Sequence, residues 1–252
     1  MSTAQKLVLI TGGNQGIGFE TAKNLLLSSP EYHVILGCRD LNKAEAAIKE
    51  LQAIPEIKGS VSATQLDVTD DQSVDAAATR LASDFGKLDI LINNAGIIST
   101  ESPPTREALR KVLEVNIVGT LSVTEAFLGL LRKATHVPPR IIFVSSSMGS
   151  IQHAANTSSP YHNPHGMEYR TSKAALNMMM IMYHARLKSD GFLVFGVDPG
   201  LCATNFTGNA ESLKARGAAL PSDGGDRVAS AAKGERDEDV GKVLSGDSIL
   251  PF

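Results

Sequence analysis

Lys6-Leu7-Val8-Leu9-Ile10-Thr11 is a short apolar run of strand character, followed at once by Gly12-Gly13-Asn14-Gln15-Gly16-Ile17-Gly18 and an amphipathic run from Phe19 to Leu27. The pattern is strand, glycine turn, helix. Glycines at 12, 16 and 18 suit a tight turn, a close approach of backbone to a pyrophosphate and tight packing of helix on strand, with the helix N-terminus aimed at the anion. The spacing, Thr-Gly-x-x-x-Gly-x-Gly, is wider than the common dinucleotide fingerprint. A purely structural turn therefore stands beside the anion cradle as a reading of this segment alone.

The alternation continues along the chain. Strands are expected at Lys6 to Thr11, His33 to Cys38, Val61 to Leu66, Leu88 to Asn93, Ile141 to Ser145 and Phe192 to Val197. Helices are expected up to Leu27, over Asn42 to Ala53, after Asp70, within Arg106 to Lys133 and over Glu168 to Leu187. Such alternation predicts an α/β fold, a Rossmann-like doubly wound parallel sheet with helices on both faces and right-handed crossovers. At 252 residues and 42% hydrophobic, residues 1–252 suit a single domain with a large core. Pro221 to Gly225 reads as a turn before a last helix, and Glu235 to Asp239 as a solvated charge cluster.

Several polar groups fall where such a sheet would bind a ligand, at the C-terminal ends of strands. They are Asp67-Val68, Asn93-Asn94-Ala95-Gly96, Ser145-Ser146-Ser147 and Asp198-Pro199-Gly200. Tyr169 and Lys173 stand four apart in a helical run, so a phenol and an ammonium share one face. A nearby cation stabilises phenolate and lowers a phenol pKa from its usual value of about 10, which makes the hydroxyl a usable proton donor and acceptor. Taken in order, these segments resemble the short-chain dehydrogenase/reductase family over nearly the whole chain, closest in pattern to its NADP(H)-dependent carbonyl reductases.

The resemblance implies a catalytic set of Asn116, Ser146, Tyr169 and Lys173. Tyr169 is implied as general acid/base, and Lys173 as the residue that tunes it and holds the nicotinamide ribose. Ser146 is implied as the hydrogen-bond donor to the substrate oxygen, with Ser145 and Ser147 one register step away. Asn116 is implied to support the lysine through ordered water. The blander readings are a polar strand end at 145–147 and a helix cap at Asn116. On the cofactor side the resemblance implies contacts from Gly12, Asn14, Gln15, Gly16, Ile17 and Gly18. Asp67 and Val68 are implied at the adenine ring, Asn94 and Gly96 as the adenine-ribose wall and a backbone contact, Thr204 at the carboxamide, and Ala95, Pro199 and Gly200 among the remaining cofactor contacts. The reaction implied is reduction of a ketone or aldehyde, or its reverse. The cofactor carries hydride while the protein supplies the proton and the geometry.

Cofactor choice is read at Val34-Ile35-Leu36-Gly37-Cys38-Arg39-Asp40. An NAD enzyme usually places a carboxylate at the position that aligns with Cys38, and the next residue, Arg39, suits a 2′-phosphate. Asn14 resembles the asparagine that carbonyl reductases of the family use beside that phosphate. NADP(H) is the expected cofactor. Asp40 lies close enough to be the ribose ligand instead, although its position suits an N-cap.

The net charge of −3 gives no electrostatic case for nucleic acid or an anionic membrane. No apolar run is expected to approach the ~20 residues of a membrane span, and a cytoplasmic location is the default expectation. Cys38 and Cys202 are expected as reduced thiols, and no metal-ligand spacing stands out. The 22 residues between Ser146 and Tyr169 (147–168) read as a pocket wall or a surface excursion. Residues 201–219 read as a lid. Met178 to Tyr183, apolar nearly all round, reads as core packing, with a subunit interface as the alternative and oligomeric state left open. Two other functions are consistent with parts of the chain: an NAD-dependent alcohol or hydroxysteroid-type dehydrogenase, and a non-catalytic NADP(H)-sensing protein.

Overall fold

In the computed structural model, which describes residues 5–99, 101–135 and 138–252, the first apolar run becomes a central strand. β1 (Lys6–Thr11) pairs in parallel with β2 (Tyr32–Cys38) on one side and β4 (Ile90–Asn93) on the other. β3 (Ser60–Gln65) lies outside β2. β5 (Arg140–Val144), β6 (Leu193–Asp198) and β7 (Val243–Ser245) follow β4 in parallel, and the short β8 (Ser248–Ile249) closes the edge antiparallel to β7. The order is β3-β2-β1-β4-β5-β6-β7-β8. Its direction reverses between β1 and β4, so the crevice above their C-terminal ends is the switch point at which such sheets bind ligands.

The period-two alternation of each strand feeds two separate cores. Leu7, Leu9, Ile35, Leu91, Ile141 and Phe143 face one side, and Val8, Ile10, Val34, Leu36, Ile92 and Ile142 the other. The first side is covered by α3 (Asp71–Asp84), α5 (Thr120–Leu131) and α7 (Met167–Leu187), through Val74, Leu81, Phe127, Leu176 and Met180 among others. The second is covered by α1 (Gly16–Ser28), α2 (Leu41–Gln52) and α9 (Pro221–Lys233). Phe127 is fully buried, and its truncation to alanine would cost about 3 to 5 kcal/mol. α4 (Arg106–Leu113) runs into α5 through a π-helical segment, Glu114–Gly119. α6 (Ile151–Ala155) and α8 (Ala210–Ala215) are short helices inside the two long loops.

The structure corrects several readings. Pro221 opens α9 instead of preceding it, and Gly224 and Gly225 are helical. A Cβ at Gly225 would lie 2.6 Å from Cβ of Glu20, so these glycines let α9 press against α1. The 235–239 charge cluster is structural: Asp237 pairs with the buried Arg140, and Asp239 holds both Arg236 and Lys242. The methionine run is divided, with Met180 in the core and Met178 and Met182 exposed, because a helix lying on a sheet buries one stripe only. Contrary to expectation, the helical stretch Arg106–Leu131 is long and apolar enough by length and composition to cross a membrane. Its buried face belongs to the core, which accounts for that apolarity. β7 and β8 escaped the sequence reading because they are only three and two residues long.

Candidate active site

The N-terminus of α1 opens directly from the glycine turn. Gly12 and Gly16 adopt left-handed backbone, φ +62° and +56°, which a side-chain-bearing residue would strain. A Cβ on Gly18 would lie 2.5 Å from Asn94 Nδ2, so that position requires glycine for packing. The half-exposed Gly16 faces the methyl of Thr204 across the cleft. No side chain caps this helix: Gln15 stands at the N-cap without a side-chain hydrogen bond, and the first turn carries no acid. Its leading N–H groups are thus open to an anion. The end of β4 is tied to the same turn. Asn94 Nδ2 donates to the carbonyls of Thr11 (2.8 Å) and Gly12 (3.2 Å), while the Asn94 and Ala95 N–H groups donate to Thr11 Oγ1. Asn14 is half-buried beside them, and Ile17 reaches toward α9, where a Cβ on Gly224 would strike its Cδ1.

At the end of β2, Cys38 is buried and burial pushes its thiol up to about 11, while Arg39 projects from the surface. Asp40 is engaged as the N-cap of α2, its Oδ1 accepting from Asn42 N at 3.0 Å. Asp67 folds back on Thr69, and the Val68 carbonyl is covered so closely by Gly119 that no larger residue fits there.

Ser146, Tyr169 and Lys173 are brought together. Tyr169 and Lys173 are buried on α7, and the Lys173 ammonium stands 5.5 Å from the centroid of the Tyr169 ring. Ser146 follows β5, its Oγ accepts from Met148 N at 3.2 Å, and its nearness to the phenol favours phenolate. Its two neighbours turn elsewhere: Ser145 donates to Asn177 and Ser147 to Asp198. Gly149 explains how this loop sits so close to the helix, since a Cβ there would lie 2.7 Å from the Lys173 carbonyl carbon.

The electrostatics differ from the sequence expectation in one respect. Burial pushes the Tyr169 hydroxyl well above the ordinary phenol value, and this outweighs the Ser146 interaction that lowers it. The Lys173 ammonium donates to the Val144 carbonyl at 2.8 Å. Burial lowers Lys173 itself to about 8, with the Asp198 carboxylate acting in the opposite direction. Asn116 stands one step back. Its side chain bridges Ile97 N (2.8 Å), Ile97 O (3.0 Å) and Ser172 Oγ (2.9 Å), and a Cβ on Gly96 would lie 3.3 Å from its Oδ1 and 3.8 Å from Lys173 Nζ.

Asp198 was not expected as a site residue. It is buried, accepts from Ser147, from Ser245 Oγ at 3.0 Å and from Gly200 N at 3.0 Å, and so joins the serine loop, the Pro199-Gly200 turn and β7. Pro199 is held in turn by Arg227, whose Nη1 donates to its carbonyl at 3.1 Å. The only sequence signal for Asp198 was its place at a strand end. Cys38 and Cys202 are free and buried, and no metal-ligand cluster occurs among the described residues.

The donor set fits a dinucleotide: an open helix N-terminus at a left-handed glycine turn, a free surface guanidinium at one end, and a buried phenol and ammonium at the other. The family model for short chain dehydrogenases matches residues 6–214. The chain belongs to the short-chain dehydrogenase/reductase family. It is 37% identical to the short-chain dehydrogenase/reductase tropE of Talaromyces stipitatus, covering 98% of each chain. Among solved structures it resembles an NADPH-bound carbonyl reductase from chicken fatty liver, with TM-score 0.82 and 28% identity over 99% of this chain and 100% of that one. It also resembles an NAD complex of a 3-oxoacyl-[acyl-carrier protein] reductase from Brucella melitensis, with TM-score 0.81 and 25% identity over 97% and 96%. The protein is thus an oxidoreductase of CH–OH and C=O groups that binds a nicotinamide cofactor.

Proposed function

We propose that the protein is an NADPH-dependent reductase of a small ketone or aldehyde, with Tyr169 as general acid, Ser146 as donor to the carbonyl oxygen and Lys173 as supporting cation. The observation that carries this reading is the placement of the half-buried Ser146 where its hydroxyl favours the phenolate of the buried Tyr169, while Ser145 and Ser147 donate to Asn177 and Asp198. When bound, the nicotinamide supplies the hydride that reaches the carbonyl carbon. Ser146 donates a hydrogen bond to the oxygen as negative charge builds there, and the Tyr169 hydroxyl gives that oxygen its proton. The phenolate left on Tyr169 is stabilised by Ser146 and by the positive charge on Lys173. In the oxidative direction the same phenolate takes the alcohol proton.

The glycine turn and the α1 N-terminus hold the pyrophosphate in this reading. Asn14 and Arg39 hold the 2′-phosphate, Asp67 and Val68 flank the adenine, and Pro199, Gly200 and Thr204 lie by the carboxamide. Preference for NADP(H) over NAD is supported by Arg39, which has no side-chain partner among the described residues, and by Asp40, whose carboxylate is occupied in capping α2. Titration of the purified apoprotein with NADPH and NADH tests the cofactor, and coupled consumption of NADPH with a panel of aldehydes, ketones and quinones tests the reaction. Tight NADPH binding without turnover of any of these would favour the sensing protein. Tighter binding of NADH would favour the NAD-dependent dehydrogenase.

A further inference from the structure

Phe206 sits on the single helical turn Asn205–Thr207 of the 201–219 loop, with its ring centroid 5.7 Å from that of Tyr169 and the two planes at 64°. This is an edge-to-face contact with the phenol that handles the substrate proton. Yet Phe206 is 43% exposed, so one aromatic surface remains open beside the reacting position. The loop is held in place at its base. Leu201 O accepts from Ala219 N, Ala203 N donates to Ala219 O, and Thr204 Oγ1 accepts from Phe206 N. The side chains of residues flanking the same catalytic segments are apolar and exposed: Leu201 after the Pro199-Gly200 turn, Ile151 after the serine loop and Met167 at the start of α7. The cations beside Tyr169 in sequence are engaged, Lys173 with Val144 O and Arg170 with Tyr161 O, each at 2.8 Å.

We infer that Phe206 is a specificity-determining residue that selects carbonyl compounds whose C=O is attached directly to an aromatic ring. The inference rests on the reductase reading above. Because Phe206 stands directly against the Tyr169 ring and keeps part of its own ring exposed, a substituent on a carbonyl held by Ser146 and Tyr169 can lie against it. A conjugated aryl group is flat and coplanar with its carbonyl, so it presents a π-face or edge to Phe206 without ordering any rotor except the one beside the carbonyl. A saturated ring gains the same apolar contact with the aliphatic side chains but loses the ring–ring geometry.

The test uses the full chain with saturating NADPH and the pair benzaldehyde and cyclohexanecarbaldehyde, in the wild type and in Phe206→Leu and Phe206→Tyr. Because intrinsic reactivities differ, each variant is compared with wild type separately for each aldehyde. Phe206→Leu is expected to lower kcat/KM for benzaldehyde about three- to tenfold and to leave cyclohexanecarbaldehyde within about twofold, while Phe206→Tyr restores the aromatic substrate. Calorimetric binding of benzyl alcohol and cyclohexylmethanol to the complex with oxidised cofactor should show the same selective loss without turnover. Equal losses for both aldehydes, or none, would overturn the role of Phe206 while leaving the reductase reading intact. If the wild type binds NADPH but reduces neither aldehyde, and also fails on the wider panel, the reductase reading falls and this inference with it.

Discussion

The two halves of the crevice are built by different means. On the side of the glycine turn the backbone itself forms the surface, with Gly12 and Gly16 in left-handed conformation and the α1 N-terminus uncapped by any side chain. On the side of Ser146 and Tyr169 lie two long loops, 147–168 and 201–219, tied down largely by side chains: Ser147 to Asp198, Arg170 to Tyr161, Phe206 against Tyr169. The first half therefore tolerates little change at its glycines, while the second can be rebuilt without disturbing the sheet. Tyr169 and Lys173 sit on the boundary, anchored by α7 to the rigid side and facing the variable one.

The sharpest break comes at that boundary. Tyr169→Phe removes only the hydroxyl, so kcat should fall about a hundredfold to ten-thousandfold, the usual contribution of a positioned acid, with the folded state and NADPH affinity retained. Steady-state kinetics beside a cofactor titration checks both halves of that statement, and substantial residual turnover would point to another acid. Next in size is Arg39→Ala. Losing a charge-assisted contact in an exposed site should cost about 1.5 to 3 kcal/mol, or roughly ten- to over a hundredfold in NADPH affinity, with NADH nearly unchanged. Adding Cys38→Asp should turn preference toward NADH by repelling the phosphate. Equal loss for both cofactors would assign Arg39 to the adenine or to the fold.

The same division explains what could be read from the chain alone. The first six strands, the glycine turn, the Tyr169/Lys173 pair and the N-cap role of Asp40 were legible because each depends on local spacing. Asp198 was visible only as a strand end, since its partners Ser147 and Ser245 are 51 and 47 residues away. Phe206 carried no periodic signal at all, and its place beside Tyr169 depends on how the 201–219 loop folds over the sheet. The 235–239 charges looked solvated because the sequence does not announce that Arg140, at the start of a core strand, needs Asp237 as its counter-ion. The α9 glycines looked like a turn because their purpose, close approach to α1, lies far off in the chain, with Gly225 standing 204 residues from its partner Thr21.

A smaller effect follows from the buried ammonium. Lys173 is lowered from 10.5 to about 8 by burial, against the pull of Asp198. Its charged form is populated below about pH 8 and lost above it, so NADPH affinity should decline several-fold as pH rises through 8, and the decline should vanish in Lys173→Met. The stability effect has the opposite sign. Between about 8 and 10.5 the unfolded chain binds the proton that the folded chain has released, so this group makes folding more favourable as pH rises across that window. Denaturant midpoints for wild type and Lys173→Met across the same range separate the two effects. A pH-independent affinity in the wild type would contradict a charged role at the cofactor.

The smallest expected change lies wholly on the substrate side. Arg170 is next to Tyr169, but its Nη2 points back to the Tyr161 carbonyl, and Tyr161 itself stacks on His153 with ring centroids 5.3 Å apart. One half-exposed guanidinium thus ties the inserted loop to the catalytic helix. Arg170→Met keeps the aliphatic stem and removes that hydrogen bond to a charged group, worth about 1.5 kcal/mol at the low end of its range. Loosening the wall costs substrate positioning before it costs chemistry. KM for the carbonyl substrate should therefore rise about three- to tenfold, with kcat and NADPH affinity close to wild type and faster amide exchange confined to 151–166. If NADPH affinity falls in step with the rise in KM, Arg170 acts through α7 on the rigid half, and the boundary between the two halves lies one helical turn further out than Tyr169.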